Sequence, residues 1–149
     1  MHSLRQRMAR EEGFTLIELL VVLLIIGILL SIAIPSYLGF QTKAEQTAAM
    51  SDVRAAVPDA EAYYSDHISY ASMFAGTDTT GLKGTYDSGM LVRGVDGSTN
   101  GVVSAIPSAT NTQRYCISAV DSGHWAHVAG PGGQVHNDVS ATSDPCTGF

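Results

Sequence analysis

Glu18 is the one charged side chain between Phe14 and Ile34, a run of the 149-residue chain that is otherwise almost wholly apolar. That run is long enough to cross a bilayer as a helix, for which about 20 apolar residues suffice. A carboxylate in mid-membrane costs roughly 2.5 to 3.5 kcal/mol on insertion scales, and less near a helix end, so Glu18 calls for a compensating partner. The other chemistry-bearing sets are looser. His124, His127 and His136 with Asp138 are all metal-ligand types, but their spacing is irregular, and strand alternation sets His124 and His127 on opposite faces. Asp121, Asp138 and Asp144 could meet calcium, yet nothing around them forms a closed calcium loop, so no metal is expected. Ser, His and Asp occur without a nucleophile elbow, and no Walker motif is present. Neither a catalytic residue nor a cofactor is expected, and the chain does not read as an enzyme. Tyr37, Phe40, Tyr63 and Tyr64 fall at helical spacing, which reads as packing rather than as a path for electrons.

The elements that carry these residues have two different solvents. Beyond the apolar run the composition becomes that of a polar globular sequence rich in Gly, Ser, Thr and Ala. The formal net charge is -6, and Lys43, Arg54, Lys83, Arg93 and Arg114 are scattered singly, so the basic footprint that nucleic-acid phosphates require is missing. Arg5, Arg7 and Arg10 precede the run, which by the positive-inside rule leaves the N-terminus in the cytoplasm and the C-terminal domain outside. A secretory signal fits poorly, because the run exceeds a 7 to 15-residue h-region and no A-x-A pattern follows in SIAIPSYLGF. Cys116 and Cys146 lack the paired CxxC spacing of a structural zinc site and read as one disulfide. It would close a loop of about 30 residues, worth roughly 3.5 kcal/mol in the chain-entropy account, and would need an oxidising compartment. Two reduced, buried cysteines are the alternative.

Helical patterning continues past the apolar run. Val53, Ala56, Val57, Ala60 and Tyr64 recur at three- and four-residue steps, while Asp52, Arg54, Asp59 and Glu61 fall largely elsewhere. This predicts a helix over 14–66, apolar all round in its first part (14–34) and amphipathic in its second. Pro35 removes the hydrogen bond to the Ser31 carbonyl, and Gly27 lowers helix propensity by about 1 kcal/mol relative to Ala, so the stretch between them is a place to bend or unwind. Pro58 predicts a second kink. Residues 67–89, including GTDTTGLKGTYDSG, read as a loop. Residues 90–149 hold the remaining apolar runs, Met90 to Val95, Arg114 to Val120 and His124 to Val128, with Asp121, Ser122 and Gly123 as a hairpin turn. GVVSAIPS adds a short edge strand, because Pro107 would interrupt central pairing. The expected fold class is α+β: a long N-terminal helix with a small antiparallel sheet of three or four strands laid on its C-terminal half, followed by a segment closed at Cys146.

The run Gly13, Phe14, Thr15, Leu16, Ile17, Glu18, behind a short charged leader, resembles the class III leader and processing site of bacterial type IV pilins and pseudopilins, nearest the type IVa branch. The resemblance spans about the first 50 residues. It implies that residues 1–13 are a leader, that a membrane-embedded prepilin peptidase cuts after Gly13, and that Phe14 is then N-methylated. A start at Met8 would leave the shorter leader MAREEG, nearer the family's usual length. The resemblance also supplies a partner for Glu18. In a filament its carboxylate can meet the new Phe14 amine of a neighbouring subunit, and a pair formed only at the correct stagger fixes axial register. The alternative is a carboxylate snorkelling to the headgroups. Implied partners are other copies of the chain, the peptidase, an assembly platform in the membrane, a separate cytoplasmic ATPase, and lipid before assembly. The implied location is the cytoplasmic membrane and then an extracellular filament. In the family's filaments the segment matching Gly27 to Pro35 is often melted, and a disulfide-bounded C-terminal region, here Cys116 to Cys146, is exposed. Other expectations are a pseudopilin of a type II secretion system, although the YPT-type loop of the major pseudopilin is missing; a minor, adhesive tip pilin; and a plain anchored domain.

Overall fold

The computed structural model describes residues 13–95, 97–138 and 142–149. Leader residues 1–12, and with them the choice of start at Met1 or Met8, lie outside the described residues. The chain divides into two compact units, Met1–Phe40 and Gln41–Phe149, with helix α1, Leu16–His67, contributing to both. In the first unit α1 is exposed on all sides, from Leu16 at 80% to Phe40 at 70%. That surface is apolar all round, which is why it can be at rest only in lipid or among other apolar helices. The helix assignment passes through Gly27, Pro35 and Pro58 without a break, and Ser31 donates its hydroxyl to the Ile28 carbonyl (2.7 Å) one turn before Pro35.

In the second unit one stripe of α1 is fully buried: Ala49, Val53, Ala56 and Ala60, at steps of four, three and four. Three of the four are alanines, and small side chains there let a sheet come close to the helix backbone. The helix stops where Ile68 turns left-handed (φ 55°) and its amide donates to the Tyr64 carbonyl (2.7 Å), a helix-end geometry usually left to glycine and awkward for a β-branched residue.

The sheet has four antiparallel strands in sequence order: β1 Gly101–Pro107, β2 Tyr115–Asp121, β3 His124–Gly130 and β4 His136–Asp138. Tyr115, Ile117 and Ala119 of β2 and Ala126 and Val128 of β3 join the core with the helix stripe, while Cys116, Ser118 and Val120 alternate to the outer face. The expected turn forms: Asp121 pairs with His124, and Ser122 (φ 48°) and Gly123 (φ 88°) are both left-handed, the geometry of a two-residue hairpin that matches strand twist. In β1 the register shifts between Val102 and Ser104, leaving Val103 as a bulge, and Pro107 ends this edge strand as its missing amide requires.

Two expectations are corrected. Met90 to Val95 does not form a strand: Val92 makes only an isolated bridge to Val102, and Gly94 (φ 81°), with its amide on Ser98 O (3.0 Å), turns the chain away. Met90 and Val92 are nevertheless core residues, each 5% exposed, so their apolar character serves a loop laid against the sheet. The stretch read as a continuous loop contains a short helix, α2 Gly81–Thr85, which buries Leu82. A Cβ on Gly81 would lie 2.3 Å from Gly76 Cα, so the close pass that seats α2 needs glycine. The three-residue β4 was not anticipated, being too short to show a period.

Candidate functional site

The first turn of α1 positions Glu18. Thr15 gives its carbonyl to the Leu19 amide (3.3 Å), which makes it the cap residue. Its hydroxyl accepts from the Glu18 amide (3.3 Å), while its own amide and hydroxyl both donate to Glu18 Oε2 (2.9 and 2.7 Å). This is a capping box: each residue satisfies a backbone donor the helix start would otherwise leave open. The opening question of compensation thus has a local answer within one chain. Glu18 Oε2 is held by Thr15, and Phe14 beside it is 82% exposed. Thr15 was not singled out among the candidate residues, although the spacing T-x-x-E before an apolar run is the signal that marks it.

At the other end of the chain Cys116 and Cys146 form a disulfide with Cα atoms 5.6 Å apart. Asp144 supports the same attachment: its Oδ1 accepts from the Ser118 hydroxyl (2.5 Å) and from the Cys146 amide (2.9 Å). The C-terminal turn is thereby fixed to the outer face of β2 by a covalent bond and a shared carboxylate. Sequence alone paired the cysteines and weighed Asp144 only as a calcium ligand, not as the anchor of this turn.

The histidines are distributed as alternation requires. His124 Nε2 lies 3.2 Å from Glu45 Oε2 of α1, on the helix side of the sheet. On the outer side, His127 Nδ1 contacts Asp138 Oδ2, and its ring stacks on His136 at 5.4 Å between centroids. Among the described residues no group of three or more side chains is arranged to hold a metal ion.

A second polar centre was missed entirely. Glu61 of α1 accepts the Tyr70 hydroxyl on Oε2 (3.0 Å) and the Tyr115 hydroxyl on Oε1 (2.9 Å), tying helix, loop and sheet together through one carboxylate. Burial first, then the hydrogen bond and charge of Glu61, push both tyrosines far above their ordinary range, so they stay donors. The rings of Tyr64, Tyr70 and Tyr115 pack in series, 4.9 and 4.7 Å between centroids.

The profile of the prokaryotic N-terminal methylation motif matches residues 8–34, a window holding Gly13, Phe14, Thr15 and Glu18. The chain is 34% identical over 116 residues to the type IV wide pilus major component PilA4 of Thermus thermophilus, covering 78% of each protein. The chain belongs to the type IV pilin and pseudopilin family. It is also 40% identical over 62 residues to the type IV major pilin protein PilA of Myxococcus xanthus, and 39% identical over 69 residues to the type II secretion system core protein G of Aeromonas hydrophila. These alignments cover 42% and 46% of the chain, and the chain spans only 28% and 48% of those two relatives' lengths. No solved structure matches. Members of this pilin family are structural proteins rather than enzymes, and the long helix with a four-stranded sheet packed on it is a pilin-like α+β architecture.

Proposed function

We propose that the chain is a structural subunit of a type IV pilus. It enters the cytoplasmic membrane as a single-pass precursor through residues 14–34. A prepilin peptidase cuts it after Gly13, Phe14 is N-methylated, and the assembly platform draws it from lipid into a helical filament of identical copies. The observation that carries this reading is the methylation motif running directly into a helix exposed and apolar on every side, with Glu18 in its first turn. Cleavage would convert the Gly13–Phe14 peptide into a cationic amine. Glu18 would then exchange its bonds to Thr15 for the amine of a neighbouring copy, pairing two charges that are costly in a low dielectric when alone. Gly27, Pro35 and Pro58 mark where the helix would bend, and the Gly27 to Pro35 segment is the one that would melt to let the filament extend.

Two observations favour a pilus over a secretion pseudopilus. The long alignment to a pilus major component covers most of both chains, and the disulfide fixes the C-terminal segment on the sheet's outer face, where a filament would present it. The similarity to core protein G keeps the pseudopilin as the second reading. Intact mass of the protein in the sheared extracellular fraction, with and without reduction, tests the proposal. The expected species starts at Phe14, carries one added methyl, and gains two hydrogens on reduction. An uncut protein retained in the membrane overturns it in favour of an anchored domain. Loss of secreted proteins with intact surface filaments, on deletion of the gene, selects the pseudopilin.

A further inference from the structure

Beside the Glu61 network lies a cavity of about 250 Å³ lined by Glu61, Tyr64, Tyr70, Gln113 and Pro131. It is smaller than the roughly 300 to 1,000 Å³ of drug-sized pockets and several times the ~30 Å³ share of one water, which suits a headgroup of a few heavy atoms. Glu61 is the single formal charge among the lining residues. Its oxygens accept the Tyr70 and Tyr115 hydroxyls, which are neutral donors, each oxygen retains a lone pair, and among the described residues no cation forms an ion pair with it. Arg114, which follows Gln113 in the chain, is engaged elsewhere, its guanidinium 5.0 Å above the Phe149 ring. The neutral wall is fixed at both ends: Gln113 accepts the Tyr64 hydroxyl (2.5 Å) on Oε1 and donates from Nε2 to the Ile68 carbonyl (3.3 Å).

We propose that this cavity binds an alkylammonium group, held by the Glu61 carboxylate and the aromatic wall of Tyr64. A carboxylate beside an electron-rich ring attracts a cation that is large, weakly hydrated and apolar at its rim, and repels an anion. A free quaternary ammonium compound and the lysine side chain of another protein share this chemistry.

The test titrates the full chain, in maltoside micelles, with choline chloride, with its neutral carbon isostere 3,3-dimethylbutan-1-ol, and with Nα-acetyl-lysine amide, following the ring signals of labelled tyrosines. Choline is expected to bind saturably and about tenfold or more tightly than the neutral isostere, a difference of roughly the size of a desolvated cation–π contact. Glu61→Gln is expected to reduce that preference to the part the ring alone supplies. Because Glu61 also ties the fold together, Tyr64→Leu is the second variant: it removes one wall while leaving the carboxylate and its two tyrosine donors, and should weaken choline about fivefold or more with the emission of Trp125 unchanged. Tighter binding of choline than of the lysine amide assigns the site to a free small cation, and the reverse order assigns it to a protein side chain. Equal binding of choline and the neutral alcohol, or unchanged choline binding in Tyr64→Leu, overturns the proposal.

Discussion

The two parts of helix α1 differ in what holds them. Among the described residues the side chains of the helix are exposed from Leu16 to Phe40, whereas from Gln41 to His67 it has a buried alanine and valine stripe, the Glu61 network and a sheet. The first part has helix propensity, a capped start and an exposed apolar surface, so its free energy depends on what surrounds that surface. The second part belongs to a folded unit that needs no other molecule to bury its core. Helices owe most of their stability to packing of a face rather than to propensity. One continuous element therefore contains a segment designed by its surroundings and a segment designed by its own chain.

Changes in the first part should alter assembly and spare the fold, and changes in the second should do the reverse. Glu18→Val has the largest expected effect. On the proposed pairing of Glu18 with a neighbour's Phe14 amine, removing one partner costs several kcal/mol, so the variant should vanish from the sheared filament fraction while thermal unfolding of the Gln41–Phe149 unit stays at the parental midpoint. A lowered midpoint would break the separation. The double change Cys116→Ser and Cys146→Ser acts on the other side: with the linked positions 30 apart in sequence, the outer unit should lose about 3.5 kcal/mol in denaturant unfolding, with helicity of the apolar part unchanged. Glu61→Ala strands two buried tyrosine hydroxyls and should cost about 2 to 3 kcal/mol in the same measurement. Thr15→Val removes the capping hydroxyl, and about 1 kcal/mol should appear as faster amide exchange in the first turn, with no change in the sheet.

The smallest effect is a slope. Burial, then the charge of Asp87, raises Asp59 above its ordinary 3.8, and its Oδ2 is buried without a hydrogen bond. The folded form binds that proton more tightly than the unfolded chain does, so stability falls as pH rises from 3.8 through the raised value. Asp52 shifts in the same direction, by burial and then by Asp121. Asp59→Asn should flatten part of the decline in melting temperature as pH rises above 3.8. An unaltered slope would remove Asp59 from the account.

What the sequence made legible was local. The methylation motif, the amphipathic steps through Val53, Ala56 and Ala60, and the Asp-Ser-Gly turn are each contained in a short window, and their physics acts within it. The strand misread at Met90 to Val95 shows the limit: apolar alternation reports burial, and a loop pressed against a sheet is buried too. Glu61 was read as part of the polar face because its partners stand 9 and 54 residues away, and no period records a contact at that separation. Thr15 lay within reach of a sequence rule and was passed over beside the more conspicuous Glu18. Asp144 shares Glu61's difficulty, since its bond to Ser118 spans 26 residues.

The bulge at Val103 bears on how the outer unit behaves beside copies of itself. A sheet's unpaired edges are templates for sideways addition of foreign strands. Here one edge carries the bulge and ends in Pro107, and the other is the three-residue β4. Both edges make poor seeds for β-type aggregation. The outer unit can be crowded against its own kind without zippering, and any ordered growth is left to the apolar helix.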